Sequence, residues 1–284
     1  MNKITMKAIA FFIAILVPFA GFCETSPFAL ITIPKSGSHL IIKTLYFLTG
    51  SKPIWHTKFP SYQYLPGEDG FLYTHFCVSP QLEADYSELP NLKKIIMVRD
   101  LRDVAVSIVH QIVKAPWPGL SGKKRQEFLQ MSFDEQLLYV INYNYDVRAV
   151  AKTSPNSLQV SLMQVAEQAL RYSQNPDVLT LRYEDLVGPN GGGTLDAQIA
   201  QLSRIKEFLQ IDAPDASLYE IAAKIYGNTI DPFGQEGFKN LRSTFRVGKI
   251  SRWREHFTEE HKAVFKKNLG NTLIALGYEQ DDKW

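Results

Sequence analysis

A short apolar run that passes through a tight polar turn into a helical pattern constrains this chain more than any other stretch. The run from Phe28 to Ile33 predicts a buried strand, and the turn that follows is Pro34-Lys35-Ser36-Gly37-Ser38. From Ser38 onward, apolar residues recur at helical spacing, namely Leu40, Ile41, Leu45 and Leu48. The unpaired N–H groups of a first helical turn attract an anion, and Lys35 adds a positive charge beside them. The turn is therefore a candidate anion site, and the alternative is an ordinary connection with a surface lysine.

A second stretch repeats this arrangement farther along the chain. Lys93 to Val98 predicts another buried strand, and a helical pattern follows over residues 104–113. Arg99 comes after the carboxyl end of this strand, where open α/β sheets bind ligands, and Ser107 lies about two helical turns farther on. A guanidinium and a hydroxyl so placed suit a phosphate group. The alternative for Arg99 is a salt bridge to Asp100 or Asp103.

Apolar strands alternate with helical segments along most of the chain. Phe71 to His75 and Val178 to Arg182 predict two more strands. Helices are predicted over residues 80–86, 133–152, 161–173, 195–209 and 257–276, and loops over residues 52–70 and 226–248. The alternation predicts an α/β fold with a central, mainly parallel β-sheet flanked by helices. With 284 residues, 45% of them hydrophobic, the chain suits one large domain, which we predict over residues 24–284.

The N-terminal residues form a separate pattern. Lys3 and Lys7 precede an apolar run from Ala8 to Phe22, and small residues before Glu24 suit cleavage by a signal peptidase. This pattern predicts a signal peptide or membrane anchor over residues 1–23, and so an exported or membrane-associated protein. The run is short for a transmembrane helix. Membrane association through residues 8–22 and a cytoplasmic location stay open as alternatives.

The formal net charge of +2 excludes a protein that binds polyanions through a general excess of positive charge. We therefore predict no nucleic-acid partner, and we expect any anion site to be local. The sequence contains no group of residues with the spacing of metal ligands, so we also predict that the protein uses no metal.

Four ordered stretches together resemble the sulfotransferases that use 3′-phosphoadenosine 5′-phosphosulfate (PAPS). PKSGS at residues 34–38 is similar to the loop with which that family binds the 5′-phosphosulfate, and RDLRDVAVS at residues 99–107 is similar to its 3′-phosphate segment. YEDL at residues 183–186 and FRVG at residues 245–248, with Trp253 downstream, resemble two further motifs. His75 falls where cytosolic members carry a catalytic histidine. The resemblance covers nearly the whole chain after residue 28 and implies a single domain with the family's P-loop-kinase-like fold.

The resemblance also implies a role for each matching residue. Lys35 would contact the bridging oxygen of the leaving nucleotide, and His75 would take the proton from the acceptor. The 5′-phosphate would lie against Ser36, Gly37, Ser38 and His39. The 3′-phosphate would be held by Arg99, Ser107, Arg246 and Gly248, and the adenine would be contacted by Tyr183 and Leu40. The co-substrate would then be PAPS, and the reaction would need no metal.

This chain departs from the family's motifs at several positions. His39-Leu40 stands where the family carries Thr-Trp, so that Leu40 offers only an apolar contact in place of a ring stacked on adenine. Val247 stands in place of a phosphate-binding lysine, and Ser251-Arg252 in place of Gly-Asp. The proline that follows the family's histidine is also missing after His75. These departures bear on nucleotide affinity, whereas the fold does not depend on them.

Structural roles stay open for several of these residues. His75 at a strand end has the alternative of a hydrogen-bonded structural histidine, and Tyr183 has the alternative of a core residue. The basic run from Lys123 to Arg125 suits a solvated face, and Trp253 suits packing.

The sequence thus predicts a PAPS-dependent sulfotransferase that transfers a sulfuryl group to a hydroxyl or amine of a small-molecule or glycan acceptor. The predicted loops contain aromatic residues that favour an apolar or aromatic acceptor, namely Trp55, Phe59, Tyr62, Tyr64 and Trp117. A P-loop nucleotide kinase is one alternative, although the chain has no GxxxxGK[ST] motif and Lys35 precedes the glycine of its turn. A non-catalytic nucleotide-binding protein with a decayed site is the other alternative, supported by Leu40 and Val247.

Overall fold

Five parallel strands form one sheet in the order β2-β3-β1-β4-β5. The strands of this computed structural model are β1 (Phe28–Thr32), β2 (Lys52–Trp55), β3 (Gly70–His75), β4 (Lys93–Val98) and β5 (Val178–Arg182). The structure describes residues 27–55, 70–75, 92–115, 120, 122–142, 161–227 and 245–284. The predicted α/β fold with a parallel sheet is confirmed.

Helices cover both faces of this sheet. They are α1 (Ser38–Thr49), α2 (Leu101–Lys114), α3 (Gly122–Gln130), α4 (Phe133–Asn142), α5 (Leu162–Ser173), α6 (Tyr183–Leu186), α7 (Leu195–Leu209), α8 (Asp215–Ile225) and α9 (Glu259–Ala275). Two 3-10 turns lie at Pro189–Gly191 and Arg252–Glu255.

The central strand β1 is buried along its whole length, because it has a strand on each side and helices above and below. Its alternate residues point to opposite faces, as the two-residue period of a strand requires. Ala29 and Ile31 pack with α2, α4, α5 and α9, whereas Phe28 and Leu30 pack with α1, α7 and α8. An unbroken apolar run such as FALIT is what a strand covered on both faces needs.

The helices that follow β1 and β4 pack on opposite faces of the sheet. Residues of α1 belong to one apolar core and residues of α2 to the other, although β1 and β4 are neighbours. Adjacent strands whose connections leave in opposite directions open a crevice at their carboxyl ends, which is where open α/β sheets bind ligands. The two turns singled out in the sequence, after β1 and after β4, meet at this crevice.

Some element boundaries differ from the sequence prediction. Helix α2 begins at Leu101, earlier than expected, because the carboxylate of Asp100 accepts a hydrogen bond from the backbone N–H of Arg102 and caps the helix. Residues 52–55, predicted as loop, form the edge strand β2. This strand tolerates Pro53 because an edge strand has one side without a partner. Helices α3, α6 and α8 were not predicted.

Other predictions lie outside the described residues. They include the signal peptide over residues 1–23, the helix over residues 80–86, and the aromatic residues Phe59, Tyr62, Tyr64 and Trp117. In the parts of the chain that are described, no helix is both long enough and apolar enough to span a membrane.

The residues of the basic run have different surroundings. Lys123 is exposed on α3. Arg125 instead donates hydrogen bonds to carbonyls near the end of α2, at Ile112 (3.1 Å) and Val113 (3.0 Å).

Candidate active site

The turn between β1 and α1 is held in shape by two left-handed residues and by bonds to β4. Lys35 has φ 69° and Gly37, which precedes the first helical residue, has φ 101°. The Ser36 hydroxyl donates to the Met97 carbonyl at 3.2 Å, and the Thr32 and Ser38 hydroxyls lie 2.8 Å apart. Among the described residues no side chain caps α1, so the N-terminus of the helix is left open toward this turn.

Lys35 is fixed at both ends within this turn. Its backbone carbonyl accepts a hydrogen bond from Arg99 Nη1 at 3.4 Å, and its ammonium donates to Gln111 Oε1 of α2 at 3.0 Å. Burial lowers the pKa of Lys35 to about 8, and the positive charges of Arg99, Lys114 and Arg246 contribute to this lowering. The partner amide orients the ammonium without neutralising it, so the charge remains available to an anionic ligand.

Arg99 leaves β4 and is almost fully buried beside this turn. Its Nη2 donates to Asp103 Oδ2 at 3.2 Å and to the Lys249 carbonyl at 2.8 Å. The guanidinium lies 4.3 Å from the centroid of the Tyr183 ring. The ion pair with Asp103, which the sequence left as an alternative, is therefore present. Even so, Arg99 Nε is buried and has no hydrogen-bond partner among the residues that the structure describes.

The segment after residue 245 joins the site through backbone carbonyls. Tyr183 donates its hydroxyl proton to the Gly248 carbonyl at 2.6 Å, and Tyr226 donates to the Val247 carbonyl at 2.9 Å. Gly248 has φ 68°, and a Cβ on it would lie 2.7 Å from the ring of Phe245. Tyr183 and Tyr226 thus hold this segment, whose Lys249 carbonyl accepts a hydrogen bond from Arg99.

A buried polar network lies behind Arg99. Asp103 Oδ1 accepts a hydrogen bond from the Trp253 backbone N–H at 2.8 Å, which ties α2 to the 3-10 turn. Glu184 accepts from the Asp100 backbone N–H at 2.9 Å and from the Tyr278 hydroxyl at 3.0 Å. Burial raises the pKa of both Asp103 and Glu184. These carboxylates position the site residues, and Trp253 is buried packing, as the sequence suggested.

The structure brings most of the predicted site residues to one place. Lys35, Gly37, Arg99, Tyr183 and Gly248 are linked by direct contacts. The exposed Arg246 is close enough to act electrostatically on Lys35 and Arg99.

The remaining predicted residues lie around this group. Ser107 is on α2, one helical turn before Gln111, and His39 lies in the first turn of α1. Leu40 is buried in the core under α1, so its side chain faces the sheet. His75 ends β3, with its backbone opposite Thr32 of β1, and its role as a base stays a prediction.

Sequence reasoning missed Gln111, Glu184 as a hydrogen-bonding residue, and Tyr226. Gln111 had a usable signal, because it lies four residues after Ser107 and so on the same helix face. Glu184 and Tyr226 carried no such signal, since their partners are far away in sequence.

The geometry describes a candidate anion site made of a lysine ammonium, an arginine guanidinium and the N-terminus of a helix. Preorganised cations and dipoles in a partly buried crevice bind phosphate-like groups and stabilise charge that develops during a reaction. Among the described residues, no group of histidine, cysteine and acidic side chains has the arrangement of a metal site.

Comparison with known proteins agrees with this geometry. Residues 26–277 match the family described as Sulfotransferase domain. No curated protein sequence matches the chain.

Two solved structures share its fold. Mouse sulfotransferase SULT7A1, complexed with 3′-phosphoadenosine 5′-phosphate (PAP), superposes with a TM-score of 0.61 at 16% identity, over 88% of this chain and 84% of that one. Retinol dehydratase, in complex with androsterone and the inactive cofactor PAP, gives a TM-score of 0.61 at 17% identity, over 87% of this chain and 80% of that one.

Proposed function

Because this chain belongs to the sulfotransferase domain family, we propose that it is an enzyme that transfers a sulfuryl group from PAPS to a hydroxyl or amine acceptor. One observation carries the proposal. Lys35 and Arg99 meet at the carboxyl ends of neighbouring strands, and the Lys35 ammonium is bound there by a neutral amide. Both structural relatives were solved with PAP, which supports a PAPS-type donor for this chain.

The residues of the crevice fit such a donor. The buried Arg99 Nε without a partner among the described residues is a donor that a phosphate oxygen would satisfy. We infer that Arg99, Ser107, Arg246 and Gly248 hold the 3′-phosphate. The backbone from Ser36 to His39 and the start of α1 hold the 5′-phosphate. Tyr183 supports Arg99 with one ring face and fixes Gly248 with its hydroxyl.

The proposed reaction is an in-line displacement at sulfur. The acceptor oxygen or nitrogen forms a bond to sulfur and loses its proton to His75, while the bond from sulfur to the bridging oxygen breaks. The electron pair stays on that oxygen, beside the Lys35 ammonium. General base catalysis contributes about 10²–10⁴-fold to such steps. As in phosphoryl transfer, positioning and charge stabilisation contribute most of the remainder.

A non-catalytic nucleotide-binding protein is the second candidate. Two observations favour it: Leu40 is packed in the core, and Val247 supplies no positive charge. Binding of PAP without sulfuryl transfer to any acceptor would identify this function. A P-loop kinase is a weaker candidate, because the turn lacks the kinase motif.

We propose a small, largely apolar acceptor. The aromatic residues predicted in loops that could border an acceptor pocket support this class, although Trp55 ends the edge strand β2, and one structural relative was solved with androsterone. Export or membrane attachment through residues 1–23 stays a proposal as well. PAPS is made in the cytosol, so an exported enzyme would need donor supplied in its own compartment.

Nucleotide binding tests the proposed donor directly. PAP is expected to stabilise the protein because it binds only the folded state. At a concentration of 100 times the dissociation constant the stabilisation is about 2.7 kcal/mol, which raises the melting temperature by about 5–10 °C. ATP with magnesium lacks a 3′-phosphate and is expected to give a smaller shift in the same thermal-shift assay. A larger shift with ATP would favour a kinase, and no shift with millimolar PAP would refute the proposed donor.

The neutral partner of Lys35 gives a second test, through the pH dependence of turnover. Protonated Lys35 is the active form, so kcat/KM is expected to fall as the pH rises through about 8, its pKa in the free enzyme. In Gln111→Glu a carboxylate would face the ammonium and raise that pKa by about one to three units. The decline of kcat/KM at alkaline pH should then move to higher pH. At the same time kcat should fall, because the new ion pair competes with the leaving group for the ammonium.

Gln111→Leu is the matched control, since it removes the hydrogen-bond acceptor without adding charge. In this variant kcat/KM is expected to decline at the same pH as in the wild type or at a lower pH. If kcat/KM declines at the same pH in Gln111→Glu and in the wild type, Lys35 is not the group whose titration causes the decline.

A further inference from the structure

Two histidines and two arginines form a cluster beside the predicted 3′-phosphate site. His110 lies on α2, three residues and about one turn beyond Ser107, and His256 follows the 3-10 turn at Arg252–Glu255. The two imidazole rings have their centroids 6.0 Å apart in an edge-to-face arrangement. Both rings pack against Phe133, at 5.5 Å for His110 and 5.0 Å for His256, so their positions are fixed by an apolar neighbour.

Buried nitrogen atoms without hydrogen-bond partners concentrate in this region. Counting partners among the described residues only, His110 Nε2, His256 Nε2 and Arg252 Nε have none, and the same holds for Arg99 Nε nearby. A buried donor without a partner is costly, and most buried polar groups in proteins are paired. The two arginine Nε atoms are donors, and an imidazole Nε2 is a donor once the ring is protonated, so the four nitrogens suit a ligand that supplies acceptor oxygens.

The charges around the two histidines are mainly positive. Burial and the charges of Arg246, His256 and Arg252 lower the pKa of His110 to about 4. Burial and the same two arginines lower the pKa of His256.

Two carboxylates oppose this effect on His256, and both are already paired. Glu255 accepts from Arg252 at 2.9 Å, and Asp103 accepts from Arg99. The cluster therefore repels protons as long as no anion is present.

We propose that His110 and His256 extend the 3′-phosphate site and that the pair takes up a proton when a phosphate dianion binds beside Arg246. This inference rests on the proposed function, whose nucleotide carries that phosphate. Arg246 links the two regions, because it acts electrostatically on Lys35 as well as on both histidines. The pair also supplies positive charge to a site in which Val247 offers none.

The physical reason is charge compensation. A phosphate dianion offsets the repulsion from Arg246 and Arg252, and it accepts charge-assisted hydrogen bonds from imidazolium N–H groups. Bound phosphate therefore raises the proton affinity of the pair. By linkage, the protein binds this phosphate more tightly as the pH falls from the raised pKa of the bound state toward the low pKa of the free state.

Isothermal titration calorimetry of the full chain tests this inference without any variant. PAP and adenosine 5′-phosphate are titrated in buffers with different ionisation enthalpies at neutral pH. Both nucleotides occupy the Lys35 turn, so protons taken up at Lys35 cancel in the comparison. PAP alone carries the 3′-phosphate, and it is expected to take up about one proton more than adenosine 5′-phosphate. Equal uptake by the two nucleotides overturns the proposal.

Variants of the two histidines then test whether His110 and His256 bind the extra proton that is taken up with PAP. In His110→Gln and His256→Gln a neutral amide donor replaces a group that titrates, and the extra proton uptake should be lost. At neutral pH, affinity for PAP should fall about tenfold for each unit by which the bound-state pKa of the pair exceeds the assay pH, while affinity for adenosine 5′-phosphate stays unchanged. Lys123→Gln, which removes an exposed cation on α3, is the control and should match the wild type.

The outcomes separate this inference from the proposed function. If the wild type binds neither nucleotide, the proposed function fails and the inference fails with it. If the wild type binds PAP with the extra proton but both histidine variants keep it, the pair is not the acceptor and the inference alone is overturned. If the wild type takes up the extra proton on binding PAP and either histidine variant does not, the inference is supported.

Discussion

Lys35→Ala is expected to lower the rate of sulfuryl transfer by about 10²–10³-fold, the usual effect of removing one preorganised donor from a developing negative charge. The conformation of Lys35 and two contacts support this expectation. The left-handed backbone, the bond from Arg99 and the bond to Gln111 place the ammonium in the crevice between β1 and β4. The measurement is the single-turnover rate with PAPS and an acceptor found by screening.

The fold should survive this substitution. Burial and three neighbouring cations lower the pKa of Lys35 to about 8, which means that the folded state disfavours its charge at neutral pH. Removing the ammonium is therefore expected to leave the melting temperature unchanged or slightly higher. Lys123→Ala, at an exposed site, controls for the loss of one positive charge. Full turnover by Lys35→Ala would refute the role of this residue on the leaving group.

Gly37→Ala is expected to destabilise the protein by about 2–5 kcal/mol and to abolish nucleotide binding, because two costs add at this position. At φ 101° a side chain is strained, and its Cβ would lie 2.3 Å from Tyr183 Cδ2. Relief of that overlap must move either the ring on which Arg99 stacks or the turn that carries Lys35. Thermal melting and PAP titration measure the two effects.

Gly122→Ala separates the two costs. Gly122 also has a positive φ, of 56°, but a Cβ there would meet no described atom within 4 Å. This variant should therefore show only the backbone strain, about 1–2 kcal/mol. Equal losses for Gly37→Ala and Gly122→Ala would mean that the close approach of Tyr183 does not constrain the turn.

The buried strands and the two turns that follow β1 and β4 could be predicted from sequence because they depend on local pattern. Buried strands such as Phe28–Thr32 have a continuous apolar run. A helix after a polar turn shows apolar residues at helical spacing. Predictions failed where local pattern is weak. The edge strand Lys52–Trp55 is short and contains a proline, so it shows neither a long apolar run nor an alternation of apolar and polar residues.

The sequence by itself determined which residue types stand at the ends of β1, β4 and β5, and hence the family motifs. Only the tertiary structure decided what those residues contact. Lys35 meets Gln111, and Arg99 meets the Lys249 carbonyl, across separations of 76 and 150 residues. His110 likewise meets His256. The contact of Lys35 follows from the strand order, which places β1 beside β4, and those of Arg99 and His110 follow from how the segment after residue 245 packs against α2. Local periodicity carries no information about either arrangement.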